Sequence, residues 1–133
     1  MQKISARFPG KKILLVEDYF INQEIVQDML ELMECTVDIA EDGAEAIKKF
    51  DAKSYDLILM DIQLPEKDGY EVTRTIRTRE QTEDKKPVTI VALTANAMVG
   101  DKEKCIEAGM NDYIAKPIEL AILESVLKKY LPA

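Results

Sequence analysis

Histidine is absent from this chain of 133 residues, and its absence excludes several kinds of site at once. Hydrolases that pair serine with histidine, proteases that pair cysteine with histidine, and histidine-ligated metal sites all need the missing side chain. A phosphoryl group carried on a histidine of this chain is excluded for the same reason. We therefore expect any chemistry to depend on carboxylates, hydroxyls and lysine.

Cysteine is scarce as well, because Cys35 and Cys105 are the only two in the chain. Two cysteines so far apart form neither a disulfide framework nor a metal-ligand motif. We predict that both are buried free thiols in a reducing cytoplasm. The chain has no stretch as long as a membrane span, and Met1–Gly10 lacks the apolar segment of a signal peptide. These features predict a cytoplasmic domain without a membrane partner.

The charge and the length narrow the class of protein further. A net charge of −7 argues against nucleic acid as a direct partner, since phosphate binding needs clustered lysine and arginine. Hydrophobic residues make up 47% of the chain, which is enough for one core. We predict a flexible lead-in over residues 1–10, which is polar and ends in Pro9-Gly10, and a single domain over residues 11–133.

Short apolar runs alternate with segments of helical spacing along the whole chain. The predicted strands cover 13–16, 35–40, 57–61, 88–93 and 113–115, and the predicted helices begin near Asn22, Asp42, Gly69, Asp101 and Leu120. Asp42 followed by Glu45 is typical of a helix N-cap with a reciprocal partner. We expect the third helix to end near Arg79 and a charged loop to follow over residues 78–86.

The predicted inner faces of the helices come from the same spacing. They are Ile21, Ile25, Met29, Leu32 and Met33 in the first helix, Ala44, Ile47 and Phe50 in the second, and Val72 and Ile76 in the third.

Five such alternations predict a doubly wound α/β domain of the flavodoxin-like type with a five-stranded parallel sheet. The second strand alternates bulky apolar with polar or small residues, which is typical of an edge strand. With right-handed crossovers, the expected strand order is 2-1-3-4-5. That order places the reversal of winding between strands one and three, where a ligand crevice forms.

Carboxylates end the two strands that flank this crevice. Asp61 follows a buried strand directly, and Glu17 and Asp18 follow the first strand. Three carboxylates so close repel one another unless a cation joins them, and hard oxygen ligands favour Mg²⁺ or Mn²⁺. Thr94 and Lys116, at the ends of strands four and five, suit a phosphoryl group. We interpret the set as a site that forms an acyl phosphate on Asp61.

Each of these residues, taken alone, also has a structural interpretation. Glu17 and Asp18 fit a solvated turn at a helix entry, Thr94 fits a cap, and Lys116 fits the surface. The functional interpretation rests on their joint placement at the ends of the predicted strands.

Four stretches in order resemble the receiver domains of response regulators in two-component signalling, over roughly residues 11–131. They are Leu14-Leu15-Val16-Glu17-Asp18, Met60-Asp61-Ile62-Gln63-Leu64-Pro65 with Asp68-Gly69, Ala92-Leu93-Thr94-Ala95, and Asp112-Tyr113-Ile114-Ala115-Lys116-Pro117. The resemblance implies a phosphorylation-controlled switch whose partner is a histidine kinase or a histidine phosphotransfer protein. We expect phosphorylation to change the surface of the fourth helix, fifth strand and fifth helix, where either partner contacts or a homodimer would form.

The resemblance also implies a role for each matching residue. Asp61 would be the phosphoacceptor, and Mg²⁺ would be bound by the side chains of Asp18 and Asp61, by the main-chain carbonyl of Gln63 and, through water, by Glu17. Thr94 and Tyr113 resemble the switch pair, and Lys116 the phosphate-binding lysine before a cis bond to Pro117. Gln63 and Asn96 would tune dephosphorylation.

Further details narrow the resemblance to one kind of receiver. Two alternative functions stay open. Two stretches, Asn22-Gln23 and Ala92-Leu93-Thr94-Ala95-Asn96-Ala97-Met98, resemble receivers attached to hybrid histidine kinases. Tyr19 stands where such receivers often carry a smaller polar residue. One alternative is a degenerate receiver used only for docking. The other is an aspartyl-phosphate phosphatase of the haloacid-dehalogenase type, which needs a second aspartate where this chain has Gln63.

Overall fold

The computed structural model describes residues 6–65, 68–95 and 101–131, and strands and helices alternate through them. The strands are β1 (Lys12–Val16), β2 (Thr36–Ala40), β3 (Leu57–Asp61), β4 (Thr89–Thr94) and β5 (Asp112–Ala115). The helices are α1 (Phe20–Leu32), α2 (Gly43–Ala52), α3 (Gly69–Thr82), α4 (Asp101–Ala108) and α5 (Leu120–Tyr130).

All five strands are parallel and lie in the order β2-β1-β3-β4-β5, which confirms the predicted topology. Val16 pairs with Met60, and Asp61 pairs with Leu93. The carboxyl ends of β1, β3 and β4 therefore lie level with one another. This register brings the residues that follow each strand to a common edge.

The central strand β3 separates two apolar layers. Leu57 and Leu59 join the cluster that includes side chains of α1 and α5, and Ile58 and Met60 join the cluster that includes those of α2, α3 and α4. Every residue of β3 is buried, which explains its unbroken apolar run. Cys35 and Cys105 are buried thiols that form no disulfide, as predicted. In the described ranges, no helix combines the length and apolar character needed to cross a bilayer.

The predicted inner face of α1 is confirmed for Met33 and for the partly buried Met29, and it is wrong for the other three residues. Ile21, Ile25 and Leu32 are 51%, 46% and 58% exposed, and the face turned to the sheet is formed by Gln23, Val26, Leu30 and Met33. The helix carries apolar residues on two faces, and spacing alone does not say which one meets the core. Gln23 belongs to the inner face because its amide donates a 2.7 Å hydrogen bond to the main-chain oxygen of Glu17.

The start of α2 agrees with its capping motif, but its inner face differs from the prediction. The Asp42 carboxylate accepts a hydrogen bond of 2.8 Å from the Glu45 amide. The Glu45 carboxylate accepts at 3.4 Å from the Glu41 amide instead of from Asp42. Ala46 is buried in place of the predicted Ala44, which is exposed, whereas Phe50 is buried as predicted and Ile47 is half-buried.

Helix α3 is longer than its sequence indicated. It continues to Thr82, so the loop expected over residues 78–86 begins only after that residue. Val72 and Ile76 are fully buried, as predicted. Glu80, which was expected to lie in the loop, is also buried, with an exposure of 2%. Glu80 pairs with Arg77 one turn earlier at 2.9 Å, which stabilises the last turns. The charged side chains of such a pair are typical of a solvated loop, so the sequence did not indicate that Glu80 is buried.

The residues that precede β1 are packed against the domain. Phe8 is 3% exposed within the α1–α5 cluster, and its amide donates a 2.8 Å hydrogen bond to the Met33 carbonyl. The Ala6 amide donates to the Glu124 carboxylate at 3.1 Å. Ala6 and Phe8 are therefore in contact with the domain, while the flexible lead-in and the division of the chain at residue 10 stay predictions.

Replacing Phe8 with alanine should lower the free energy of unfolding by about 3 kcal/mol, because it leaves a cavity under a buried aromatic ring. The matched control is Phe20→Ala, since Phe20 is 65% exposed and its loss should change stability by less than about 0.5 kcal/mol. Urea unfolding of both variants checks this. Equal losses in the two variants would show that Phe8 does not belong to the core.

Candidate functional site

Three carboxylates meet at the carboxyl edge of the sheet. Glu17 and Asp18 follow β1, Asp61 ends β3, and one oxygen of each lies within 4.8 Å of the others. Glu17 is 1% exposed and Asp61 3%, whereas Asp18 is open to solvent. The sequence predicted this meeting, and the pairing of β1 with β3 is its cause.

Lys116 brings a positive charge to the two buried carboxylates. Its Nζ atom lies 2.8 Å from Asp61 Oδ2 and 3.1 Å from Glu17 Oε2. The main-chain amide of Lys116 donates a 2.8 Å hydrogen bond to the Thr94 carbonyl, and the bond between Lys116 and Pro117 is cis. The end of β5 is thus tied to the end of β4 while its lysine reaches across to β3.

Charge and burial shift the pKa of two of these groups. Burial raises the pKa of Glu17 above 4.5, repulsion from Asp61 raises it further, and attraction to Lys116 opposes both only in part. Burial acts to lower the pKa of Lys116. The hydrogen bond and the attraction to Asp61, together with Glu17, outweigh that effect and raise it. The site therefore keeps its lysine charged and makes the Glu17 charge costly.

The donors left over at this site fit a divalent cation. Glu17 Oε2 is buried and lies near Lys116 without a hydrogen bond of good geometry. Asp61 Oδ1 accepts a 3.0 Å bond from the Gln63 amide, which fixes the orientation of that carboxylate. Three carboxylates face one lysine in this part of the described chain, so negative charge remains. All the free donors are hard oxygens, which suit Mg²⁺.

Steric contact with the main chain explains why position 69, after the Asp61 strand, is a glycine. Gly69 begins α3, and a Cβ atom there would collide with the main-chain oxygen of Asp61 and lie 2.9 Å from Cα of Ile62. The Gly69 amide donates a 2.7 Å bond to the Ile62 carbonyl. Close packing of α3 against the end of β3 therefore requires glycine and holds the Asp61 main chain in place.

The other predicted site residues lie at different distances from this centre. Thr94 ends β4 and is 5% exposed, Tyr113 lies half-buried on β5 opposite Ala92, and Gln63 is exposed. Asn96 lies outside the described residues. Tyr19 is 55% exposed, and its amide donates to Glu17 Oε1 at 3.2 Å, so its main chain helps to orient the acidic pair.

A groove beside the site was missed by sequence reasoning. It has a volume of about 440 Å³ and is lined by Glu17, Asn22, Ile25, Val26, Lys116, Pro117 and Ile118. On the same helix α1, Phe20 and Ile21 are exposed by 65% and 51%. The second apolar face of α1 could have indicated this groove, but its residues were predicted to lie in the core. A cavity of about 530 Å³, lined by Lys53 and Lys85 among others, lies near the amino ends of β3 and β4, away from the carboxylates.

Residues 13–128 match the family model of the response regulator receiver domain. The chain belongs to this family. It is 43% identical, over 90% of its length, to hybrid signal transduction histidine kinase L of Dictyostelium discoideum, and it spans 7% of that protein. It is 36% identical, over 92% of its length, to response regulator mcs4 of Schizosaccharomyces pombe, of which it spans 28%.

Two solved structures resemble the fold closely. The receiver domain of Ssk1 from Saccharomyces cerevisiae, crystallised with the histidine phosphotransfer protein Ypd1, superposes with a TM-score of 0.88 at 35% identity, covering 93% of this chain and 90% of that one. The receiver domain of the sensor histidine kinase PA1611 from Pseudomonas aeruginosa, with magnesium coordinated in its active-site cleft, gives 0.83 at 44% identity, covering 93% and 99%.

Glu17 should make the metal-free domain less stable as the pH rises. A group whose pKa is raised by folding contributes stability that is complete below its unfolded pKa, here 4.5, and is lost as the pH rises through its folded value. Glu17→Gln should remove that part of the pH dependence, because the neutral amide does not titrate.

Urea unfolding from pH 4 to pH 8 in a chelator, with parent and variant in parallel, measures the difference. The exposed residue Glu24 provides the control variant Glu24→Gln. If parent and Glu17→Gln show the same pH dependence, the burial of Glu17 has no energetic consequence.

Proposed function

We propose that this receiver domain accepts a phosphoryl group from a phosphohistidine donor onto Asp61, with Mg²⁺, and that phosphorylation alters the surface formed by α4, β5 and α5. The observation that carries the proposal is the buried Asp61 carboxylate, 2.8 Å from Lys116 Nζ and beside two further carboxylates. A lysine that neutralises one acid but leaves the cluster negative is suited to a site completed by a cation and a phosphoryl group.

In the proposed reaction an Asp61 carboxylate oxygen attacks phosphorus, and the bond between phosphorus and the donor imidazole nitrogen breaks. The imidazole leaves with the electron pair of that bond, and Asp61 becomes an acyl phosphate. Lys116 is placed to neutralise charge on the transferred oxygens. Because Asp61 Oδ1 accepts from the Gln63 amide and Oδ2 from Lys116, the attacking carboxylate is oriented before the donor arrives.

The cation would be held by the side chains of Asp18 and Asp61, by the Gln63 carbonyl and, through water, by Glu17. Mg²⁺ bound there supplies charge neutralisation for the transferring phosphoryl oxygens. In the same proposal, Gln63 and Asn96 flank the path of the water that later hydrolyses the acyl phosphate. Both are neutral amides, which hydrogen-bond water without acting as strong bases.

Incubation with acetyl phosphate and Mg²⁺ should add the mass of one phosphoryl group to the parent chain. Asp61→Asn should abolish the gain, and removal of Mg²⁺ or the change Asp18→Asn should slow it by at least about a hundredfold, since several kcal/mol of charge stabilisation are lost. Asp56→Asn, at the other end of the Asp61 strand, is the control and should behave as the parent. Intact mass spectrometry follows the reaction, and phosphorylation of Asp61→Asn at the parental rate would contradict the assignment.

The partner that would deliver the phosphoryl group must approach Asp61 from the carboxyl edge of the sheet. The exposed apolar side chains of α1, including Phe20, Ile21 and Ile25, flank this approach together with the groove. A bundle of helices presenting a phosphohistidine fits such a surface, because an apolar helix face packs well against another helix. The receiver domain of Ssk1, to which this chain is similar, is crystallised with the histidine phosphotransfer protein Ypd1, which supports the choice of partner.

Ile25→Ser should slow phosphoryl transfer from phosphorylated yeast Ypd1 by about tenfold while leaving the reaction with acetyl phosphate unchanged. Ile25 lines the groove and has no role in the proposed chemistry. Ile106→Ser on α4 is the matched control, since Ile106 is similarly exposed at 57%. Equal slowing with both donors would indicate damage to the site and not to a docking surface.

The proposed output uses the contacts at the ends of β4 and β5. A phosphoryl group on Asp61 offers acceptor oxygens to the Thr94 hydroxyl, and the Thr94 carbonyl already binds the Lys116 amide. Movement of Thr94 towards Asp61 therefore moves β5 and gives Tyr113 a new position. The resulting surface would serve a partner or a second copy of the chain, in the cytoplasm, as one module of a hybrid histidine kinase or response regulator.

A further inference from the structure

We infer that Arg77 is the fixed pivot of the proposed switch. It holds the amino end of β4 and the turn between α4 and β5 while the carboxyl ends of β4 and β5 move. This inference rests on the proposed function, since it assumes that phosphorylation displaces Thr94. It concerns a side chain on α3 at the edge of the sheet opposite Asp61.

The Arg77 guanidinium joins three separate segments. Its Nε atom donates to the Gly109 carbonyl at 2.9 Å, and Nη2 donates to Asn111 Oδ1 at 3.0 Å. Nη1 donates to the Val88 carbonyl at 2.7 Å and to Glu80 Oε1 at 2.9 Å. The planar fork of arginine provides these directions in a rigid arrangement that a lysine does not reproduce.

The partners of Arg77 are themselves fixed to the backbone of β4. Glu80, with its side chain 3% exposed, accepts a 2.7 Å bond from the Val88 amide through Oε2. Asn111 Oδ1 accepts from the Ile90 amide at 2.8 Å, and the Asn111 amide donates to the Ile90 carbonyl at 2.7 Å. Arg77 therefore reaches the start of β4 directly at Val88 and indirectly at Ile90.

The end of α4 is locked at the same place. The Met110 amide bonds to the Cys105 carbonyl at 2.9 Å and the Gly109 amide to the Ile106 carbonyl at 3.0 Å, which is the Schellman pattern of helix ends. Gly109 has a φ of +105°, and a Cβ atom there would lie 2.9 Å from Arg77 Cγ. Glycine is thus required both by the turn and by the closeness of the arginine.

The carboxyl ends of β4 and β5 have a different kind of connection. The Lys116 amide is bound to the Thr94 carbonyl, so the two strand ends move together. With the amino ends fixed through Arg77, a pull on Thr94 tilts β5 and α4 about this point. Without the fixed end, the same pull displaces β4 along its length, and less of the movement reaches β5 and α4.

Hydrogen exchange with and without acetyl phosphate and Mg²⁺ tests the pivot, in the parent and in Arg77→Gln. In the parent, phosphorylation should change exchange at Ile114 and Ala115 but not at Ile90, Met110 and Asn111. In Arg77→Gln the change at Ile114 and Ala115 should fall by about tenfold, and a change should appear at the other three. Arg74→Gln, on the exposed side of the same helix, should behave as the parent.

The outcomes separate the pivot from the switch. If phosphorylated parent protein shows no change at Ile114 and Ala115, both proposals are overturned. If the parent switches and Arg77→Gln switches to the same extent, the pivot alone is overturned. Should Arg77→Gln fail to fold, Arg77→Lys replaces it, because lysine keeps a charge for Glu80 but loses the bonds to Gly109 and Asn111. A lower melting temperature with an unchanged phosphorylation response would count against the pivot.

Discussion

The ion pair of Lys116 with two buried carboxylates is the interaction on which the functional edge depends. Taking Glu17 and Asp61 out of water is costly, and at 2.8 Å and 3.1 Å the lysine compensates part of that cost. The balance explains why the raised pKa of Glu17 and the raised pKa of Lys116 occur side by side. A ligand that brings positive charge to the carboxylates, or negative charge to Lys116, neutralises charge that the protein alone leaves uncompensated.

The two edges of the sheet are built in contrasting ways. At the carboxyl edge, charges are close, in part without hydrogen bonds, and arranged around an open crevice. At the amino edge, the half-buried Arg77 and the buried Glu80 are satisfied by one another and by main-chain groups of Val88, directly before β4. An unsatisfied edge responds to a ligand, whereas a satisfied edge resists movement. The parallel sheet thus connects a responsive end to a rigid one.

The sequence was sufficient for the topology and for the meeting of Glu17, Asp18 and Asp61. Buried parallel strands have short unbroken apolar runs, and the residue after each run necessarily lies at the shared edge. It was insufficient for α1, where Ile21 and Ile25 compete with Val26 and Leu30 for the core and only tertiary packing decides. It also missed the last residues of α3, from Glu80 to Thr82, because Glu80 has the composition of a surface loop and the contacts of a core.

The packing of Phe8 has a consequence for how such modules are exchanged between proteins. The family match begins at residue 13, yet the apolar cluster under α1 and α5 includes an aromatic ring five positions earlier. A graft cut to the family boundary would carry the carboxylate edge intact but leave a gap in the apolar cluster where Phe8 lies, next to Met33. A transplanted receiver that includes Phe8 keeps this cluster filled, so the smallest transferable domain is larger than the range that the family model matches.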